Sequence, residues 1–232
     1  MASTLTVHTP QLQLEDPLAH LPCSTIVEYG KGQMIYNLEQ PATSLYLIID
    51  GKVIVSRTTD DGSQVMVDIY QRDEFFGESA LLNLSHHAEQ ATAMENTRFM
   101  IWSSSQIEEI VMSRPRLGLA LLQILVQRSL AFAERIESFS VDNIQRRLAR
   151  SLIRFSERLG TRQDDGSVRM VPFTHELLAQ YVGTSREAIT HCLNQFRRDG
   201  YLQYSRKSII IHREGFGKWL RPTASAPIAV MR

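Results

Sequence analysis

The stretch that decides the fold covers residues 173–212 and has the sequence FTHELLAQYVGTSREAITHCLNQFRRDGYLQYSRKSIIIH. Its first part repeats apolar side chains at the spacing of one buried helix face, at Leu177, Leu178, Tyr181 and Val182. This spacing predicts a helix over residues 174–182. Gly183 interrupts the pattern and is expected to end the helix in a tight turn.

A second helix is predicted directly after this glycine. Thr184 and Ser185 are both good N-cap residues, and Glu187, three positions after Thr184, indicates a capping box. The helix should end near Arg198, because the sequence Asp199-Gly200 follows it. Its buried face is expected to consist of Ala188, Ile189, Cys192, Leu193 and Phe196.

Two short strands are predicted after the second helix, at residues 201–204 and 208–212, on either side of the basic tip Ser205-Arg206-Lys207. Two helices joined by a glycine turn and followed by such a hairpin are typical of a winged helix-turn-helix. The alternative is an ordinary helical hairpin with a solvated polar stripe, but that alternative predicts neither the glycine turn nor the basic wing.

The outer face of the second helix carries side chains that can read DNA bases. The Arg186 guanidinium fits guanine O6 and N7, and the Glu187 carboxylate can accept from cytosine N4. We expect the reading face to consist of Arg186, Glu187, Thr190, His191 and Asn194. Contacts to phosphates, which position the protein without reading the sequence, are expected from Thr174, Ser185, Arg206 and Lys207.

The formal net charge of zero hides a charge difference between the two parts of the chain. Residues 1–142 contain 9 Lys and Arg against 18 Asp and Glu, a net charge of −9, whereas residues 143–232 contain 16 against 7, a net charge of +9. Only the C-terminal part is therefore expected to contact a polyanion. The sequence has no signal-peptide pattern and no membrane-length run of unbroken apolar residues, which predicts a cytoplasmic protein without membrane contact.

The N-terminal half has the pattern of a small β domain. Strands are predicted at residues 34–36, 45–49, 53–55, 65–70 and 98–102. The dipeptide Asp50-Gly51 predicts a hairpin between the second and third of these strands, and Asp60-Asp61-Gly62 predicts another turn. Phe75 and Phe76 lead from a strand end into one helical turn. Many short strands with regular turns indicate a closed or rolled sheet.

Several motifs, in this order along the chain, resemble a known family. They are Tyr29-Gly30-Lys31-Gly32, Asp50-Gly51-Lys52-Val53, Phe76-Gly77-Glu78-Ser79-Ala80-Leu81, and Ser185-Arg186-Glu187 between Gly183 and Gly200-Tyr201-Leu202. They are similar to the β-roll and the recognition motif of the Crp–Fnr family of bacterial regulators. The resemblance implies an α+β fold with an N-terminal β-roll of the cyclic-nucleotide-binding type, a long dimerisation helix and a C-terminal winged helix-turn-helix.

The resemblance also implies an effector pocket, formed by Gly77, Glu78, Ser79, Ala80, His87, Ala88, Glu89, Gln90 and Phe132. In the family's cyclic-AMP binders, a glutamate holds the ribose and a later arginine holds the phosphate. Glu78 is present here, but no arginine occurs between Arg72 and Arg98, and Glu89 would repel a phosphate. Phe132 with Ala133 replaces the implied adenine-reading hydroxyls. We therefore expect an unknown effector other than cyclic AMP, with Glu78 either a ligand contact or only a hydrogen-bonding residue of the fold.

A long helix is predicted over residues 116–139, which contain no proline and no glycine after Gly118. It would be roughly 35 Å long and apolar around much of its girth, so it needs cover from its own β-roll and from a second body. The resemblance implies that the second body is another copy of the chain, and burial within one subunit is the alternative. The expected dimer seam consists of Leu117, Leu121, Ile124, Leu125 and Phe132.

Two further helices are predicted beside the long one. Ser105 and Glu108 indicate a capping box that opens a short helix ahead of Pro115. A helix over residues 144–159 follows a hinge at Asp142-Asn143. Its outward face is expected to carry Arg146, Arg147, Arg150, Arg154 and Arg158.

The expected division of the chain is an N-terminal arm at residues 1–20, a sensor domain at 21–113, a dimerisation helix and hinge at 114–142, a winged helix-turn-helix at 143–221 and a tail at 222–232. No P-loop, nucleophile elbow or zinc-protease pattern occurs, so no enzymatic activity is expected. Cys23 and Cys192 cannot supply an iron–sulfur cluster, and His86 and His87 without clustered partners do not predict a metal site.

The resulting expectation is a homodimeric transcription regulator that binds double-stranded DNA and RNA polymerase. The alternative is a ligand-binding module whose C-terminal domain contacts a protein instead of DNA.

Overall fold

The computed structural model describes residues 14–221. The start of the predicted arm at residues 1–13 and the predicted tail at residues 222–232 lie outside the described residues. The described end of the arm forms one turn of 3-10 helix at Pro17–Ala19. The Glu15 backbone N–H donates to Gln123 Oε1 at 2.8 Å, so this segment is attached to the long helix rather than loose.

The strands of the N-terminal β-roll are β1 (Thr25–Tyr29), β2 (Met34–Tyr36), β3 (Ser44–Asp50), β4 (Lys52–Thr58), β5 (Gln64–Gln71), β6 (Phe75–Phe76), β7 (Gln90–Ala93) and β8 (Thr97–Ser103). Within residues 25–103 they form two antiparallel sheets, in the orders β1-β8-β3-β6 and β2-β7-β4-β5. The predicted strands are confirmed in β2, β3, β4, β5 and β8. β7 was not predicted, because Gln-Ala-Thr-Ala has no large apolar residue to show an alternating pattern.

The predicted hairpin at Asp50-Gly51 is wrong. β3 and β4 do not pair, because β3 joins the first sheet while β4 joins the second. Gly51 has φ +91°, and a Cβ there would lie 2.5 Å from Thr97 Oγ1, so the chain passes tightly between the sheets. The turn at Asp60-Asp61-Gly62 does close a hairpin, in which Thr58 of β4 faces Gln64 of β5.

The helices that follow are α1 (Ser104–Ser113), α2 (Pro115–Val141) and α3 (Ile144–Leu159). The capping box of α1 is formed by Ser103 and Gln106, not by Ser105 and Glu108 as predicted. Since β8 ends at Ser103, the backbone N–H of Ser103 is available to donate to Gln106 Oε1 at 2.8 Å. Asp142 and Asn143 separate α2 from α3 at the predicted hinge.

The C-terminal domain continues with β9 (Thr161–Arg162), β10 (Val168–Met170), α4 (His175–Val182), α5 (Arg186–Arg198), β11 (Leu202–Tyr204), β12 (Ile209–Ile211) and α6 (Arg213–Leu220). Its strands form one antiparallel sheet within residues 161–211, in the order β11-β12-β10-β9. The two helices and the wing are confirmed. α6 was not predicted, because Gly215 and Gly217 have a low helix propensity. Its Phe216 is nevertheless fully buried.

The two domains share part of one apolar core. Met66 and Ile69 of β5 belong to the same buried cluster as Phe155 of α3 and Tyr181 and Val182 of α4. The β-roll keeps a separate core between its sheets, around Ile48, Val53, Phe76 and Phe99. The C-terminal domain is therefore packed onto β5 rather than held only by the hinge.

Candidate nucleic-acid interface and sensor pocket

Backbone geometry and caps place α5 on the surface next to α4. Gly183 adopts φ +69° at the end of α4, and a Cβ there would lie 2.8 Å from the Phe139 ring of α2. Ser185 is the N-cap of α5, and its hydroxyl accepts from the Ala188 N–H at 3.2 Å. The predicted capping box between Thr184 and Glu187 does not form, because the helix begins one residue later than that pairing needs.

Most of the predicted reading face lies open. Arg186, Glu187, His191 and Asn194 are exposed along one side of α5. The Glu187 backbone N–H and the Ser185 hydroxyl lower the pKa of the Glu187 carboxyl, so it is ionised at neutral pH. The face therefore presents one cation, one anion, an imidazole and an amide, which is a suitable set for base edges in a major groove.

Thr190 is only partly exposed, unlike the other four residues of the predicted reading face. Its Oγ1 donates to the Arg186 carbonyl at 2.8 Å and lies 2.7 Å from His175 Nδ1, which then serves as the donor. Burial and then the Arg186 charge lower the pKa of His175, which keeps the ring neutral. His175 also meets the Tyr204 ring edge-on, with centroids 5.4 Å apart. Sequence reasoning missed His175, because its partners come from another helix and from the wing.

The expected phosphate contacts lie at two helix starts and at the wing tip. Thr174 caps α4 by accepting from the Leu177 N–H at 3.1 Å, as Ser185 caps α5. Arg206 and Lys207 are exposed between β11 and β12, where Ser205 Oγ accepts from the Lys207 and Ser208 N–H groups. The tip is thus held in a defined turn, with its two cations facing outward.

In the β-roll, Glu78 is held by an arginine from α2. Gly77 has φ +80°, and a Cβ there would clash with the Tyr46 ring, so only glycine fits before Glu78. Arg128 donates to Glu78 Oε1 at 2.6 Å and to the Phe75 carbonyl, and its guanidinium lies 4.4 Å from the centroid of the Tyr70 ring. Glu78 Oε2 is buried without a hydrogen-bond partner within the described residues.

Arg128 was not predicted as a pocket residue, although the sequence contained an indication of it. It is one of three arginines in a helix that is apolar around most of its girth, and a charge on such a helix needs a partner where it is buried. Although residues 73–97 contain no arginine, a guanidinium does lie beside Glu78 of the predicted pocket. That guanidinium comes from α2 and is already paired with Glu78.

The predicted pocket residue His87 fills space beside Tyr36. The two rings stack with centroids 3.9 Å apart and an interplanar angle of 11°. His87 Nδ1 lies 3.2 Å from Ser79 Oγ, and burial lowers the pKa of the imidazole. His86 points elsewhere, toward Ser85. Within residues 14–221, no group of three or more potential metal ligands comes together.

Glu89 is the second acidic group of the predicted pocket. Burial, followed by repulsion from Glu78, raises the pKa of Glu89 to about 7. The Tyr36 hydroxyl donates to Glu89 Oε1 at 3.5 Å. Arg57 offsets part of the negative charge, and its Nε donates to the Ala88 carbonyl at 3.0 Å.

Three further residues of the predicted pocket have different surroundings. Gln90 Nε2 donates to Ser56 Oγ at 3.3 Å, and Ala80 is buried in the short 3-10 helix Glu78–Leu82. Phe132 lies one helical turn beyond Arg128 and is 37% exposed in the single chain.

The face of α2 that packs against its own β-roll contains residues that were predicted to face a second subunit. Leu117 and Leu121 are buried against Leu45, Phe75 and Trp102 of their own subunit, and Ile124 packs against the same cluster. Leu117 and Leu121 therefore have little surface left for a dimer seam in this subunit, whereas Ile124 is only partly buried, and its place in the seam stays a prediction. Periodicity showed two apolar faces but did not distinguish which one faces the β-roll.

The opposite face of α2 carries the exposed stripe. Its residues alternate at spacings of three and four, and all are exposed in the single chain: Leu119, Leu122, Val126, Ser129, Ala133, Ile136 and Ser140. Leu125, from the predicted seam, borders this stripe and is 38% exposed. A spacing of 3.5 residues is that of a coiled-coil seam. By length and composition α2 is also apolar enough to cross a membrane.

Comparison with known proteins matches both halves of the chain. A family model of the cyclic nucleotide-binding domain matches residues 26–114, and one of the Crp-like helix-turn-helix domain matches residues 146–215. A CRP-like cAMP-activated global transcriptional regulator from Mycobacterium tuberculosis is 27% identical over 186 residues, which cover 80% of this chain and 83% of that protein.

Solved structures share the whole arrangement of domains. FixK2 from Bradyrhizobium japonicum gives a TM-score of 0.74 at 20% identity and covers 84% of this chain and 96% of that one. A CRP/FNR-family transcriptional regulator from Thermus thermophilus gives 0.70 at 24% identity, with 84% and 98% covered. At these identities the structures establish the fold alone.

The matched domains stand in the order in which the fold presents them, with a sensor β-roll, a long helix and then a helix-turn-helix with an open polar face. The chain therefore belongs to the Crp–Fnr family of transcription regulators, with a cyclic-nucleotide-binding-type sensor domain and a DNA-binding helix-turn-helix.

Proposed function

We propose that two copies of this chain read a pseudo-palindromic DNA duplex with their α5 helices, under the control of the β-roll. The observation that carries this proposal is the open face of α5. Arg186, His191 and Asn194 make no ion pair or side-chain hydrogen bond with any other part of residues 14–221. Side chains that are exposed and uncommitted in this way remain available for base edges.

The division of roles follows from the chemistry of the side chains. Arg186 and Glu187 read a G·C pair in each half-site, and His191 and Asn194 read neighbouring bases. Thr174, Ser185, Arg206 and Lys207 hold phosphates. Thr190 serves the reading helix indirectly, because its hydroxyl is already hydrogen-bonded to His175.

The second copy covers the exposed stripe of α2. A seam through Leu119, Leu122, Val126 and Ile136 would bury side chains that a single chain leaves in water, which favours association. The two-fold axis of such a dimer would place the half-sites roughly 34 Å apart. This cover also explains the apolar character of α2 in a protein that we expect in the cytoplasm and not in a membrane.

Selection from random duplex DNA with the purified protein tests the reading function. We expect enrichment of a two-fold symmetric site with a G·C pair at equivalent positions, and affinity that falls steeply as salt rises. The absence of enrichment, together with salt-independent binding, would exclude the DNA-reading function and favour a protein partner for the C-terminal domain.

We further propose that cyclic AMP is not the effector. The residues of the predicted pocket suit a cyclic phosphate poorly, because Glu89 adds a carboxylate and Arg128 is already paired with Glu78. Arg57, the arginine beside Glu89, offsets only part of this negative charge, and its Nε donates to the Ala88 carbonyl. The stacked rings of His87 and Tyr36 occupy further space. An effector of lower charge suits this pocket better, as does a sensor that needs no ligand.

Calorimetric titration with cyclic AMP and cyclic GMP tests this expectation. Loss of a charge-assisted phosphate contact, with a carboxylate nearby, should weaken binding by about 4 kcal/mol, from micromolar toward millimolar. Tight, saturable binding that also raises DNA affinity would contradict it.

A further role rests on family resemblance, and we expect contact with RNA polymerase on that ground. We expect no enzymatic activity because no catalytic motif occurs, and no iron–sulfur cluster because Cys23 and Cys192 are too few ligands. We also propose the domain limits of residues 21–113, 114–142 and 143–221 for the sensor, the helix with the hinge and the DNA-binding part.

A further inference from the structure

The joint between the two domains contains an ionic cluster on β5. Asp68 is buried and accepts from Arg154 at 3.0 Å and from Arg158 at 2.8 Å, both on α3. Arg158 also binds Glu74 at 3.0 Å and the Ile69 carbonyl at 2.8 Å. These two arginines were predicted to face water. They instead attach the DNA-binding domain to the sensor domain.

Arg135 of α2 connects three elements at the same joint. Its guanidinium donates to the Met66 carbonyl at 3.0 Å and the Val67 carbonyl at 2.9 Å, both on β5. It also donates to the carbonyl of Tyr181, near the end of α4, at 2.8 Å. The guanidinium carbon lies 4.1 Å from the Tyr181 ring centroid and 5.6 Å from that of Phe139.

Arg135 and the sensor residue Arg128 lie on one face of the same helix. They are separated by seven residues, or about 10 Å along the axis. Arg128 contacts Glu78 and Tyr70, and Tyr70 is two residues from Asp68 on β5. Helix α2 and strand β5 thus each connect the region around Glu78 to the joint between the domains.

We infer that Arg135 is a positioning residue that holds the first helix of the helix-turn-helix against β5 and so sets the pose of the reading helix. A displacement of α2 at Arg128 would be carried to the joint through Arg135. This role rests on the proposed reading of DNA by a homodimer. Spacing between two reading helices depends on the pose of each, whereas the base preference of each half-site does not.

The chemistry requires an arginine at this position. A planar guanidinium can donate to three carbonyls and lie against an aromatic face at the same time, whereas the ammonium of lysine cannot reproduce both. A residue with a merely structural role would change stability when replaced, but not the preference of the dimer for one half-site spacing.

The experiment compares full-length wild type with Arg135→Met, Arg135→Lys and the control Arg72→Met. Arg72 is an arginine of the β-roll whose side chain is 73% exposed. Affinity is measured for the selected duplex and for the same duplex with one base pair added between the half-sites. We expect Arg135→Met to reduce the preference for the correct spacing by about threefold or more, because a loosened domain is less well pre-organised. Arg135→Lys should restore part of this preference, and Arg72→Met should leave it unchanged.

Hydrogen exchange without DNA provides the second measurement. We expect faster exchange in Arg135→Met at residues 66–70 and 181–184, with the other core strands unchanged. Unchanged exchange, or an unchanged spacing preference in both Arg135 variants, would overturn the inference. If Arg135→Met does not fold, Arg135→Lys decides the question by the same two measurements. If the wild type binds no duplex, the proposed function fails. The exchange measurement would still test whether Arg135 holds α4 against β5.

Discussion

At the residue scale, a polar side chain in this protein is either committed inside the chain or left available for a partner. Arg186 and Thr190 lie one turn apart on α5, but only Arg186 is exposed, because Thr190 is hydrogen-bonded to His175. Arg128 and Glu78 are committed to each other in the same way. Specificity should therefore follow the uncommitted residues.

Replacing Arg186 by alanine should relax the base preference at one position of each half-site. A bidentate arginine–guanine contact accounts for about 1–3 kcal/mol of discrimination. Titration against duplexes with single base substitutions measures this effect. The control Lys207→Ala should weaken all duplexes alike and reduce the salt dependence. An unchanged base preference in Arg186→Ala would remove this residue from the reading set.

Replacing Glu89 by glutamine should stabilise the protein above neutral pH. The pKa of Glu89 is raised from 4.5 to about 7, so the folded state keeps a proton that the unfolded state has lost. Stability therefore falls as pH rises from about 4.5 to about 7, and the full penalty remains above that range. We expect Glu89→Gln to gain about 1–2 kcal/mol at pH 8 and much less at pH 5.

Chemical denaturation at the two pH values measures this gain. Glu39→Gln is the control, because Glu39 is exposed in the same domain. An equal effect of Glu89→Gln at both pH values would show that the carboxyl of Glu89 titrates normally.

At the scale of elements, α2 has two faces with different partners. Leu117, Leu121, Arg128 and Arg135 serve the interior of the subunit, while the stripe around Val126 is left in water. Because each face carries apolar surface, a helix of this kind is expected to pack against the β-roll on one side and against a second body on the other.

A charge in the exposed stripe should therefore separate the dimer. Val126→Glu would bury an unpaired carboxylate in each half of the seam, at a cost of about 2–4 kcal/mol per subunit. We expect sedimentation velocity to show monomers and DNA affinity to collapse, since one subunit holds only one half-site. The matched control is Gln127→Glu, one residue further along on another face of α2. A Val126→Glu protein that remains dimeric would place the seam elsewhere.

At the scale of the whole molecule, the domains are coupled by shared burial. Met66 and Ile69 of the β-roll lie in the core of the C-terminal domain, and Asp68 between them is bonded to two arginines of α3. Proteins whose domains share a core tend to unfold in one transition.

Replacing Asp68 by alanine should weaken this coupling. It leaves Arg154 without its carboxylate and Arg158 with Glu74 alone, which we expect to cost about 2 kcal/mol. Scanning calorimetry should show one transition in the wild type and a lower, broader or split transition in Asp68→Ala. Asp60→Ala is the control, because Asp60 is exposed in the β-roll and makes no ion pair within the described residues. Superimposable thermograms for wild type and Asp68→Ala would contradict a coupled joint.

Several features of this protein were determined by local sequence alone. Turn glycines such as Gly183, helix caps such as Ser185 and the apolar periodicity of α5 act between residues a few positions apart, so their patterns predicted the helix-turn-helix and its open face. The same holds for most strands of the β-roll. The reading residues could be named because exposure on a capped amphipathic helix follows from its period.

Only the tertiary structure decided which partner each face and each charge takes. In the structure, Asp50-Gly51 connects strands of two different sheets instead of closing a hairpin. Leu117 and Leu121 pack against the β-roll, and Arg128 pairs with Glu78. The tertiary structure also placed Arg154 and Arg158 in the domain joint instead of in water. The physical reason is that these contacts join residues of separate elements, and the contacts of Arg128, Arg154 and Arg158 with their carboxylates span 50 to 90 positions. Periodicity shows that a face is apolar or a charge isolated, but the packing of distant elements chooses the partner.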